Sequence, residues 1–208
     1  FGEAQKGGEL VIWVHPSAKL SGTVRSATVA AQKDPDADIH IVDTQTIAGT
    51  LATLVLLAAQ WAAEGLPAEV IVNGIEDMMP HQRIYFLVDT LEYLQKGGRI
   101  GGARALLGKI LNIKPILTMR DGQVEPLEQA RTKRRALARL AGLVEEQAET
   151  EGDPHICVMH VDALDDAQAL VETLQSSFNV KNIPIYELPP AIVVHAGPGA
   201  LAAGFFAK

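Results

Sequence analysis

The sequence predicts an α/β protein in two units, the first built on a parallel sheet and the second on a sheet of mixed strand direction. Three observations predict it. Short apolar runs rich in β-branched residues alternate with longer segments whose apolar residues recur at helical spacing. Hydrophobic residues make up 48% of the 208 residues and aromatics only 5%, so the interior is aliphatic. The stretch Met79-Pro80-His81 interrupts the alternation and divides the chain into residues 1–80 and 81–208.

The elements follow in order. Leu10–Val14, bounded by His15-Pro16, predicts a buried parallel strand. Beyond the loop Ser17–Gly22, a helix runs from Thr23 to Gln32, with Ser21 as its N-cap and Asp34-Pro35-Asp36 as its stop. Ile39–Asp43 is the next strand. The apolar stretch Leu51–Ala63 lies in a helix over Ile47–Glu64 that is covered on nearly all sides and ended by Gly65 and Pro67. Thr53 and Gln60 interrupt that stretch, which is too short for a bilayer span of about 20 apolar residues. Pro67 opens another helix.

The second unit begins with a strand at Ile84–Val88. A short helix over Thr90–Gln95 is stopped by Gly97-Gly98, and Arg104–Leu111 is another helical piece. Ile113–Thr118 and Gln123–Pro126 form a hairpin around Asp121-Gly122. A long helix over Thr132–Thr150 carries Ala136, Leu137, Leu140 and Val144 on one face. A strand at His155–Val161, a helix at Asp165–Phe178, strands at Ile183–Glu187 and Ala191–His195, and a helix from near Gly199 complete the expectation.

Charge and cysteine content narrow the function. Against 18 Lys and Arg stand 25 Asp and Glu, a net charge of −7, which argues against a nucleic-acid partner. The local basic run Arg131–Arg135 reads as a solvated helix face. A single cysteine, Cys157, forms no internal disulfide and suits a reducing cytoplasm as a buried, inert thiol. Phe1–Gly8 lacks the apolar core of a signal peptide.

Four loops can carry chemistry, each beside a helix start or a strand end, where α/β sheets place ligands. In Ser17–Thr23, hydroxyls and free helix N–H groups suit an anion, or Ser21 simply caps the helix. His195-Ala-Gly-Pro-Gly199 places a histidine donor beside glycines that allow close backbone approach. Leu94–Gly102 is glycine-rich with Lys96 and Arg99, either a phosphate cradle or a flexible connection. In Leu111–Thr118, Lys114 interrupts an apolar run and either pairs with a carboxylate or keeps its head in solvent. His155 and His160 lie near Asp162, Asp165 and Asp166, but five residues apart on a strand they face opposite sides, so no metal is expected. Two other readings stay open: a serine-dependent acyl hydrolase or transferase using Ser17 or Ser21 with His195 and an acid such as Asp43, and a phosphate-ligand binder.

Together these stretches resemble the DegV family, the fatty-acid-binding subunits of bacterial fatty acid kinase. The resemblance rests on Ser17–Thr23, Val42-Asp-Thr44, Asp89–Ile100, Leu111–Ile116, Asp121-Gly122, Arg131-Thr132 and His195–Gly199, in family order. It implies two α/β domains, residues 1–80 being the remainder of the first and 81–208 the second, with a long-chain fatty acid between them. It places the carboxylate at Ser17, Ser21, Gly22 and His195, and it gives Arg99 and Arg131 to phosphate or partner docking. It implies no cofactor beyond the bound acid, a separate kinase subunit as partner, a cytoplasmic protein, and at most transient contact with a membrane. The sequence departs from the family in two places. The family's leading segment with a Thr-Ser-x-Pro-Ser loop has no match here, which implies an incomplete first domain, and Ser17-Ala18 stands where the family has two serines.

Overall fold

The computed structural model describes residues 10–33, 38–108, 113–148, 153–178, 180 and 182–207. The expected stop at Asp34–Asp36, the helical stretch beyond Gly108 and the end of the long helix at Thr150 fall outside these residues.

The first sheet joins β1 (Val11–His15) and β2 (Ile39–Asp43) in parallel, with Val11 opposite Ile39 and His15 opposite Asp43. The crossover between them is α1 (Thr23–Ala31). Two more helices follow, α2 (Ala48–Ala63) and α3 (Ala68–Met78), the latter entered through Pro67. Leu54, Ala58, Ile71 and Ile75 bury themselves with Val42, and Phe206 of the second sheet joins this cluster. The helix α2 is less enclosed than its composition predicts. Only Gly49, Thr50, Leu54 and Ala58 are buried, while Val55 and Leu56 face outward, Leu56 with 63% of its surface exposed.

A 3-10 turn at Met79–His81 leads into the second sheet. Its six strands lie in the order β5-β4-β3-β8-β6-β7. They are β3 (Gln82–Leu87), β4 (Lys114–Arg120), β5 (Gln123–Ala130), β6 (Cys157–His160), β7 (Ile185–Glu187) and β8 (Leu201–Phe206). All pairs are antiparallel except β6–β7, so the sheet is mixed. The β4–β5 turn is the two residues Asp121 and Gly122, both at positive φ (49° and 75°), the geometry that matches strand twist in a tight hairpin.

The helices of this half are α4 (Glu92–Lys96), α5 (Lys133–Gln147), α6 (Leu164–Phe178) and α7 (Pro190–Ala196). Thr132 caps α5 by accepting a hydrogen bond from the Arg135 N–H at 3.3 Å. On one face of the sheet, Tyr85, Leu87, Val158, Leu201, Ala203 and Phe205 pack against Leu140, Val144, Leu170 and Leu174 of α5 and α6. The opposite face carries Ile84, Phe86, Val88, Leu117, Cys157, Met159, Ala200 and Ala202. Strand alternation sorts the residues between the two faces.

Two expected elements exchange identity. Ala191–His195 is not a strand but lies in α7, and the stretch after Gly199 is not a helix but the strand β8. Pro190 at the first helical position is preorganised for α7. β8 lies between β3 and β6 with every residue buried. There the small residues Ala202, Ala203 and Gly204 are tolerated because both neighbours complete its ladder.

Candidate functional site

A cavity of about 410 Å³ lies between the helices of the first half and the second face of the large sheet. This is within the usual size of small-molecule sites, ~300–1,000 Å³. Ile47, Ala48 and Leu51 of the α2 region form one wall. Ile84, Phe86, Val124, Met159 and Ala202 form the floor, and Leu188, Ile192 and Ala196 close the side of α7. The few polar or charged residues in the lining are Ser21, Arg99 and His195, with Gly22 beside them.

The loop between β1 and α1 is held from several directions. The Ser17 N–H donates to the Thr46 carbonyl at 2.8 Å, and the Leu20 and Ser21 N–H groups donate back to the Ser17 carbonyl. The Asp43 carboxylate accepts from the N–H groups of Ala18 and Gln45, both at 3.1 Å, so one side chain fixes this loop and the one after β2. The second loop is strained, with Gln45 and Ala48 at positive φ (56° and 54°). Beneath both loops, Ser17, Thr44, Thr46 and Thr50 are buried hydroxyls. Thr44 donates to the His15 carbonyl at 2.8 Å, and Thr46 and Thr50 share a bond of 2.7 Å.

Ser17 therefore does not line the cavity. Its hydroxyl donates to the Gly122 carbonyl at 2.5 Å, tying the loop to the β4–β5 turn, and it is 1% exposed. A Cβ at Gly122 would lie 2.6 Å from that hydroxyl oxygen, so glycine there serves both the turn and the link. Ser21 does line the cavity, yet it is not the N-cap of α1. Gly22 takes that position without a side-chain bond, and Ser21 sits one residue earlier, accepting from the Thr23 N–H at 3.3 Å. The first turn of α1 has no acidic residue and no side chain bonded from the N-cap position, so its N–H groups other than that of Thr23 keep their attraction for an anion.

His195 lies in the last turn of α7. Its Nδ1 is buried with no hydrogen-bond partner and is packed on Gly97, where a Cβ would fall 2.0 Å from it. The remaining nitrogen, Nε2, is the one left to donate. Burial lowers the histidine pKa below its ordinary value, and the nearby Arg99 charge lowers it further. Arg99 reaches across the two halves: its Nε donates to the Leu20 carbonyl at 3.0 Å and one terminal nitrogen donates to the Gly97 carbonyl at 2.8 Å. One end of an apolar cavity thus collects a hydroxyl, a helix N-terminus, an imidazole and a guanidinium, all suited to a negative charge.

Other expected participants lie elsewhere. Arg131 borders a separate cleft beside Asp89, Lys114 and Lys133. There Lys114 pairs with Asp89 at 3.1 Å and Lys133 with Asp166 at 2.6 Å. Within Leu94–Gly102, Gly97, Gly101 and Gly102 permit tight packing, whereas a Cβ at Gly98 would meet open space. A Cβ at Gly101 would lie 2.1 Å from the Val124 carbonyl, and one at Gly102 would lie 2.0 Å from the Glu125 carboxylate. Ser17 and Asp43 are engaged away from His195: Ser17 bonds Gly122, and Asp43 holds backbone N–H groups. Sequence reasoning missed Met159, Ile84 and Phe86 as lining, and their signal was only alternation within short strands.

Comparison with known proteins identifies the family. A family model described as an uncharacterised protein of the DegV family matches residues 1–208. A DegV domain-containing protein of Streptomyces coelicolor is 39% identical over 200 residues, covering 95% of this chain and 70% of that protein. One of Deinococcus radiodurans is 36% identical over 201 residues, covering 97% and 71%. Among solved structures, a fatty-acid-binding DegV protein of Thermus thermophilus superimposes with a TM-score of 0.90 at 35% identity, covering 100% of this chain and 74% of that one. A fatty-acid-binding DegV protein of Streptococcus agalactiae gives 0.90 at 29% identity, with the same coverage. The chain belongs to the DegV family.

Proposed function

We propose that this protein binds a long-chain fatty acid, tail in the apolar cavity and carboxylate at Ser21, Gly22 and His195, and presents that carboxylate to a separate kinase subunit. The observation that carries the reading is the cavity itself: apolar along its length, with Ser21, Arg99 and His195 grouped in its lining. The fatty acids bound by DegV relatives of similar fold support the choice of ligand. Each buried methylene is worth about 0.8 kcal/mol, so a long tail supplies on the order of 10 kcal/mol before ordering costs and dominates affinity. The headgroup contacts then set orientation.

On this reading residues 1–80 and 81–208 are two domains and the acid lies between them. Ser17 acts from behind, holding the loop that carries Ser21. The kinase supplies ATP, and the carboxylate oxygen attacks the γ-phosphorus, giving an acyl phosphate and ADP. Arg99 and Arg131 serve the phosphate or the partner, and the place of action is the cytoplasm, with transient membrane contact for loading. The experiment is to incubate the loaded protein with ATP, with and without a fatty acid kinase catalytic subunit. Acyl phosphate should form only with the kinase, and Arg99→Ala should reduce its formation more than it reduces fatty acid binding. Ester hydrolysis by the protein alone, abolished in Ser17→Ala or Ser21→Ala, would instead establish the hydrolase reading.

A further inference from the structure

The floor of the cavity has a direction. β8 leaves the Gly197–Gly199 turn, next to His195, and runs inward, so its cavity-facing row reads Ala200, Ala202, Gly204 away from the polar end. At about 3.4 Å per residue this row is roughly 14 Å long. Across it, Val161 bonds Ala200, Met159 and Phe86 flank Ala202, and Cys157 and Ile84 flank Gly204.

The row is open at Ala200 and Ala202, which line the cavity, and filled at Gly204. A Cβ at Gly204 would lie 3.0 Å from the Thr50 methyl, 3.1 Å from the Cys157 sulfur and 3.2 Å from the Met159 Cε. The Met159 side chain therefore leans from the middle row into the last one. Methionine ordinarily adapts its shape. Here it is fully buried, and its sulfur accepts a hydrogen bond from the Gly49 N–H at 3.0 Å, at the start of α2. A Cβ at Gly49 would lie 2.3 Å from the Cys157 sulfur and 2.9 Å from the Met159 sulfur, so the helix start sits directly on this plug.

We propose that Met159 is the end stop for the acyl chain: held by the Gly49 N–H, it sets the longest tail the cavity accepts. The inference rests on the fatty-acid reading above and adds a determinant of chain length to it. Shortening Met159 opens the cavity toward Gly204, whereas enlarging Ala202, opposite Met159, shortens it.

The test is competitive binding of palmitate, stearate and arachidate to the delipidated full chain, as wild type, Met159→Ala and Ala202→Val. Met159→Ala should raise the arachidate-to-palmitate affinity ratio about tenfold, the equivalent of roughly two further buried methylenes. Ala202→Val should lower that ratio. A folded Met159→Ala protein with an unchanged ratio, or equal losses for all three acids, overturns the proposal. Should Met159→Ala not fold, Ala202→Val decides alone, and an unchanged ratio there overturns it. A wild type that binds none of the acids defeats the fatty-acid reading and this inference with it, an outcome distinct from wild-type binding without length control.

Discussion

The two faces of the six-stranded sheet are built from the same strands and do opposite things. In β8, Leu201, Ala203 and Phe205 point to α5 and α6, into a core where Leu140, Val144, Leu174 and Phe205 have no solvent exposure. Ala202, with Ala200 just before the strand, points the other way, where small side chains leave the cavity, and Gly204 makes room for Met159. One face is filled for stability, and the other is hollow because its central strand gives up volume. Hollowing one face costs packing contacts, and the filled face supplies the stability that allows it.

The largest effect should come from breaking the filled face. Leu140→Ala should destabilise the fold by about 2–5 kcal/mol, the usual cost of removing a fully buried leucine side chain, as measured by denaturant unfolding. Affinity for a fatty acid, compared under conditions where the variant stays folded, should change little. A large loss of binding in the folded variant would mean the two faces do not divide the work.

A smaller effect belongs to the polar end of the hollow face. His195→Ala should weaken binding of a long-chain acid by about 1.5–3 kcal/mol, the value of a hydrogen bond to a charged group. Lys133→Ala, which removes a partner of Asp166 outside the cavity, should leave binding unchanged. Both are read by calorimetry. Acidity offers a second readout of the same residue. His195 starts below the ordinary histidine value, and a bound carboxylate raises it, so the complex holds more proton than the free protein between the two values. Affinity should rise as pH is lowered through that interval and level off below the free value. His195→Ala should abolish the rise, and a variant that keeps it would place the titrating group elsewhere.

The same comparison explains what the sequence made legible. The filled face was visible because its residues follow strong rules: Ala136, Leu140 and Val144 at helical spacing, and Asp121-Gly122 as a hairpin turn. The hollow face was not. Leu201–Phe206 lacks β-branched residues and reads as helix, because the small residues that open the cavity are poor strand signals. Ala191–Val194 is too short to show its period, and its β-branched run Ile192-Val-Val194 reads as strand. Ser17 and Ser21 are equivalent in a local reading. Only the partner of Ser17, the Gly122 carbonyl 105 residues away, turns it inward and leaves Ser21 at the cavity. Long-range pairings of that kind leave no mark on spacing.

The central claim is that the hollow face holds a long-chain fatty acid, and native mass spectrometry of the gently purified protein tests it most directly. The predicted spectrum contains a species heavier than the bare chain by the mass of one long-chain fatty acid, and His195→Ala should shift that population toward the bare chain. A protein that stays bare after incubation with excess palmitate, or that instead retains a phosphorylated polar metabolite, would contradict the account.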